Sequence, residues 1–139
     1  MTVVVDASVL VAALVDDGSD GRWAESQLVG DFLAAPHLVY VEVANILRRA
    51  VRGGSISEDV AALAHSDLLA LRVELFPYEL VAERVWDLRG SVTAYDAWYV
   101  AIAEHLNAPL ATLDQKLSRA AGPKCSFRLP PRSRARGLR

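Results

Sequence analysis

A chain of 139 residues and 15.1 kDa is long enough for one substantial core and too short for two. Its 53% hydrophobic and 23% charged residues exclude a disordered protein, no apolar run reaches the roughly 18 residues of a membrane span, and no signal-peptide pattern opens it, so a cytoplasmic location is expected. The net charge of −2 hides an asymmetry, since residues 1–123 hold 9 Lys/Arg against 17 Asp/Glu whereas residues 124–139 hold 6 basic residues and no acid.

In chain order, Val3–Val5 reads as a β-branched strand that passes after Asp6 into a helix with Leu10, Ala13 and Leu14 on one face. Asp16 to Gly21 reads as a loop and Trp23 to Val29 as a helix ended by Gly30. Phe32 to Pro36 is a short buried strand stopped by proline. Leu38 to Arg52 is helical up to Gly53-Gly54, with basic residues in its last turn. Ser55 and Glu58 have capping-box spacing and open a helix through Leu69. Arg72 to Tyr78 has strand character, Glu79 to Arg89 and Thr93 to Asn107 are helical, Ala108 to Thr112 is a strand, and Asp114 to Ala120 a short helix. Strands alternating with helices predict an α/β domain, a three-layer α/β/α sandwich with a central, mostly parallel sheet. It is expected to occupy residues 1–123. Residues 124–139, with Pro130 and Pro131, are read as a basic mobile tail, which serves either as an arm for RNA or as a solvating terminus. A single cysteine, Cys125, excludes an internal disulfide and a cysteine metal cluster and fits a reducing compartment.

Four acids stand at strand ends or on helices that border the core, and each has a plain structural reading of its own. Asp6 ends an apolar strand, a place that calls for a cap role, a counter-ion or a metal. Glu42 lies in LVYVEVANILRR, within about 60° of Asn45 and Arg49 and beside the apolar face of that helix; taken alone it reads as part of a surface stripe. Arg49 reads as solvent-facing. Asp96 has capping-box spacing to Thr93, yet Tyr99, Val100 and Ala103 one turn on make its helix face apolar. Asp114 follows Ala-Thr-Leu at a strand end and suits an N-cap. In open parallel sheets ligands bind beyond the carboxyl ends of the strands, which would bring Asp6 and Asp114 to one rim.

The blocks VVVDASVLVAAL, VYVEVANILRR and TAYDAWYVAIAEHLNAPLATLDQKL resemble those of the PIN-domain nucleases, more narrowly the VapC-type toxins of toxin–antitoxin pairs. The resemblance runs from Val3 to about Leu117 and stops short of the tail. It implies a metal-dependent ribonuclease, usually a homodimer held by a small antitoxin. Matched to the motif, Asp6, Glu42, Asp96 and Asp114 are the acids, and Ser8, Asn45 and Thr112 the polar positions that accompany them.

The residue chemistry is compatible with that reading. Carboxylates are hard ligands that suit Mg²⁺ or Mn²⁺, and without a cation four of them within a few ångströms would raise one another's pKa. The expected site has Asp6 and Asp96 as direct ligands, Asp114 and Glu42 completing it directly or through water, and Ser8, Thr112 and Asn45 orienting the ligands. Two other enzyme classes fit poorly: a haloacid-dehalogenase-like phosphatase needs an Asp where Ser8 stands, and a receiver domain needs a strand-end lysine. A catalytically idle PIN-like binding module is the non-enzymatic alternative. His37, His65 and His105 lack ligand spacing, and Trp98 and Tyr99 read as core or dimer contacts ahead of base stacking.

Overall fold

A computed structural model of the chain describes residues 1–131. Five parallel strands form one sheet in the order β3-β2-β1-β4-β5, with β1 Thr2–Val5, β2 Phe32–Pro36, β3 Val73–Phe76, β4 Leu110–Ala111 and β5 Phe127–Arg128. The helices are α1 Ala7–Val15, α2 Ser19–Gln27, α3 Val39–Arg52, α4 Glu58–Ala70, α5 Ala82–Asp87, α6 Ala94–Leu106 and α7 Gln115–Ser118, with a 3₁₀ turn at Tyr78–Val81. The parallel α/β sheet expected from the alternation of strands and helices is present. Its central strands read as unbroken apolar runs because helices cover both faces: Val3, Val4, Val5, Leu110 and Ala111 have no exposed surface. Against them pack Leu10, Val39, Val43, Leu68, Val100 and Ile102 from the helices.

Local chemistry sets most of the boundaries. Asp6, Ser57, Thr93 and Asp114 each cap a helix by accepting a backbone N–H, from Val9, Val60, Asp96 and both Lys116 and Leu117 respectively. The predicted cap at Ser55 is therefore displaced to Ser57; the Ser55 hydroxyl donates instead to the Ala50 carbonyl at the end of α3. The predicted loop before Trp23 is shorter than expected, since α2 begins at Ser19. At Gly21 the α2 backbone touches the end of α1 so closely that a Cβ would stand 1.8 Å from the Asp16 carbonyl oxygen.

Phe127 and Arg128, read from sequence as part of the tail, form the edge strand β5 and pair with Leu110 and Ala111. Two neighbouring contacts hold them there: Lys124 N–H donates to Glu104 at 2.7 Å, and Arg128 pairs with Asp31 at 3.2 Å. Residues 132–139, the remainder of that basic segment, lie outside the described residues. No helix among the described residues is long and apolar enough to cross a membrane.

Candidate active site

Strand register builds the site. Val5 of β1 lies opposite Ala111 of β4, and Asp6 N–H continues the pairing to the Ala111 carbonyl at 3.3 Å. Asp6 and Thr112 therefore leave the sheet side by side at its carboxyl rim. The fully buried Thr112 hydroxyl donates to Asp6 Oδ2, while Asp6 Oδ1 accepts from Ser8 Oγ at 2.5 Å and from Val9 N–H at 3.1 Å. The same two hydroxyls accept in turn from the next loop, Ser8 Oγ from Leu113 N–H at 3.2 Å and Thr112 Oγ1 from Asp114 N–H at 3.0 Å. Ser8 and Thr112 thus join the first strand end to the loop that carries Asp114.

The other acids arrive on helices. Asp96 is in the first turn of α6, half-buried, its N–H bonded to Thr93 Oγ1 at 3.1 Å. Glu42 is half-buried in the first turn of α3, and its Oε1 accepts the Tyr99 hydroxyl at 2.7 Å. Tyr99 was read from sequence as an apolar neighbour of Asp96. It is a buried polar link between the two acid-bearing helices, and its spacing of three from Asp96, which puts both on one helix face, was the available signal. Asp114 is exposed, with Oδ1 committed to capping α7.

The electrostatics show these carboxylates sensing one another. Burial pushes the Asp6 carboxyl above its ordinary range, against the lowering effect of the Ser8, Thr112 and Val9 bonds, and the Asp96 charge raises it further. Asp6 keeps some accessible surface, but its carboxylate is densely surrounded by protein, and that packing governs its titration. Glu42 is raised by burial and by Asp96, opposed by the Tyr99 bond; Asp96 is raised by burial and by Asp114, opposed by Thr93. Asp96 is thus the hub through which the other three couple. Burial, and then the bond to Glu42, hold the Tyr99 hydroxyl far above its ordinary value, so it stays a donor.

None of the four acids takes part in an ion pair among the described residues. In charge and in donor type they fit a hard divalent cation, which would relieve their repulsion. Among the described residues no three acidic, histidine or cysteine side chains are gathered tightly enough to grip an ion as they stand. Asn45 is exposed on α3, one turn after Glu42, and makes no side-chain hydrogen bond among the described residues. Trp98 packs edge-on against Tyr78 at 5.5 Å between ring centroids, while Trp86 is exposed under the Arg89 guanidinium.

The PIN domain matches residues 3–123. Ribonuclease VapC1 of Mycobacterium tuberculosis is 40% identical over 127 residues, covering 91% of this chain and 96% of that protein. VapC ribonuclease Mb0985 of Mycobacterium bovis is 37% identical over 130 residues, covering 94% and 99%. Among solved structures, VapBC2 from Rickettsia felis, bound to a DNA fragment from their promoter, superposes with a TM-score of 0.63 at 16% identity, over 93% of this chain and 98% of that one.

Proposed function

The chain belongs to the PIN-domain family, in its VapC branch, and from that premise we propose that it is a metal-dependent endoribonuclease acting as the toxin of a toxin–antitoxin pair. The observation that carries the proposal is the meeting of four carboxylates at one sheet rim, where burial and mutual repulsion hold Asp6, Glu42 and Asp96 above their ordinary pKa and none of the four takes part in an ion pair among the described residues. The ribonuclease names of relatives at 37% and 40% identity support RNA as the substrate.

In this reading Asp6, Asp96, Asp114 and Glu42 hold Mg²⁺ or Mn²⁺. The bound ion would supply positive charge at the scissile phosphate and lower the pKa of a water. The chain's own residues do the positioning. Ser8 and Thr112 fix both oxygens of Asp6, so its carboxylate meets the substrate side in one orientation. Tyr99 fixes Glu42 and stays protonated while doing so. Asp96, whose N–H is held by Thr93, is the central charge. The proposed partners are an RNA substrate, a small antitoxin as in the VapBC complex cited above, and a second copy of the chain; the proposed location is the cytoplasm.

The test is RNA cleavage by the purified chain with Mg²⁺, Mn²⁺ or EDTA, for wild type and Asp6→Asn. Cleavage is expected with either metal and lost in EDTA and in the variant. Undiminished cleavage in EDTA, or by a correctly folded Asp6→Asn chain, overturns the proposal. Sequencing the ends of RNA cleaved in cells expressing the protein would then identify the target.

A further inference from the structure

The lysines and arginines of the described residues are of two kinds. Arg84 pairs with Glu104 and Arg128 with Asp31, while Arg22 and Arg89 donate to backbone carbonyls. The rest make no ion pair among the described residues, and their densest group is Arg48, Arg49 and Arg52, all exposed on the second half of α3. That helix carries Glu42 in its first turn. Arg49 lies about 10 Å and Arg52 about 15 Å further along the axis. They are about 20° and 80° around the helix from Glu42, so both share its side, whereas Arg48 falls on the flank.

Position and charge together indicate what such a stripe would hold. Residues 1–123 carry an excess of eight acids, and the rim concentrates four of them where an anionic strand must approach. A nucleic-acid strand would be repelled there unless cations border the rim, and guanidinium groups match phosphate oxygens in a bidentate fork. The arginines also suit the carboxyl end of a helix, which favours positive charge. Glu58 shares a shallow surface depression with Arg48 and Arg52 without pairing to either.

We propose that Arg49 and Arg52 form a phosphate track that holds the backbone of a single-stranded RNA on one side of the bond cleaved at the acid rim. The inference rests on the ribonuclease reading above. Each arginine contacts one phosphate, so the track sets strand affinity and direction without touching the reacting atoms.

The experiment measures kcat and KM for a single-stranded RNA with Mn²⁺, between about 50 and 200 mM monovalent salt. It compares wild type, the double variant Arg49→Gln/Arg52→Gln, and Arg72→Gln. Arg72 is exposed and precedes β3, at the opposite end of the sheet from Asp6, so it controls for net charge. The double variant is expected to raise KM roughly tenfold at low salt and to flatten the slope of log(kcat/KM) against log[salt] by about 0.7 per arginine, with kcat and melting temperature held. Arg72→Gln should change neither quantity.

An unchanged KM and slope in the double variant, with wild type cleaving normally, overturns the track alone and leaves the stripe to a protein partner. A lowered melting temperature with unchanged KM overturns it in favour of a helix-end role. An equal effect of Arg72→Gln replaces it with non-specific attraction. Absence of cleavage by wild type overturns the ribonuclease reading, and the track with it.

Discussion

The two ends of α6 treat a carboxylate in opposite ways. At its start Asp96 faces Asp6, Glu42 and Asp114 with no cation paired to it among the described residues, and its carboxyl titrates above the ordinary range. Near its end Glu104 takes a two-pronged bond from Arg84, at 2.7 and 3.1 Å, and a third from the Lys124 N–H at 2.7 Å. Burial alone would raise Glu104 too, but the bonds from Arg84 and Lys124 outweigh it and hold its carboxyl below the usual value. Arg84 also donates to the Gly122 carbonyl at 2.8 Å, so this pair pins the segment that leads into β5. At Glu104 the chain supplies the cation; at the rim, among the described residues, it supplies more carboxylates. That contrast separates an acid neutralised within the fold from acids left without a paired cation among the described residues.

Neutralising the hub of the repulsive end tests the contrast most strongly. Asp96→Asn should cut metal-dependent RNA cleavage by at least about a hundredfold, beyond what loss of an outer supporting group costs. It should also raise the melting temperature of the metal-free chain, because it removes the charge that the other acids sense. Asp6→Asn is a less clean probe of repulsion, since Asp6 accepts from Ser8, Thr112 and Val9 and caps α1. A metal-free Asp96→Asn chain less stable than wild type would mean that the rim is not under repulsive load.

Tyr99→Phe keeps the ring and deletes the 2.7 Å bond to Glu42. It should weaken Mn²⁺ binding, read as a metal-dependent shift in melting temperature, by roughly 10- to 100-fold. Metal-free stability should fall by only about 1 kcal/mol. Unchanged Mn²⁺ affinity would place Glu42 outside the ion's reach.

Titration should show the two ends with opposite signs. Asp6, Glu42 and Asp96 are raised in the folded chain above 3.8, 4.5 and 3.8. Across that window the folded state binds more protons than the unfolded one, so metal-free stability should decline as pH rises from about 4. Saturating Mg²⁺ should flatten this decline. Glu104 is lowered below 4.5, so its contribution is present above that value and lost as pH falls through the folded pKa. Glu104→Gln should remove the loss on the acid side, leave the decline at higher pH intact, and cost about 1 kcal/mol at neutral pH, the partial exposure of the Arg84 side chain, 29%, keeping the figure small. Denaturant midpoints across pH 3–8 would measure both slopes.

Much of this was legible in the linear chain because it depends on local chemistry. Phe32–Pro36 reads as a strand from its apolar run and terminal proline, and forms one with those bounds. Thr93 and Asp114 read as helix caps from their side chains and cap helices. Asp6 and Asp96 stand out because a charge beside an apolar run or face calls for a partner, whereas Glu42 and Asp114, which alone read as a surface stripe and an N-cap, join them through the resemblance to the PIN domain. Local chemistry did not always choose between neighbours: Ser55 has capping-box spacing to Glu58, and the helix is capped at Ser57 instead.

The amino-acid sequence by itself determined the alternation of strands and helices, the α/β class, the PIN-like order of the acids and the excess of negative charge before residue 124, since each follows from neighbours a few positions apart. Only the tertiary structure decided which groups meet. The Thr112 hydroxyl reaches Asp6 across 106 positions because β1 and β4 pair in one register. Tyr99 reaches Glu42 because α3 and α6 bring their first turns to the same rim, and Arg128 leaves the presumed tail because β4 offers an unpaired edge. Long-range pairing depends on strand register and helix placement, which no spacing along the chain encodes, and so the order of the acids could be read before their electrostatic coupling could.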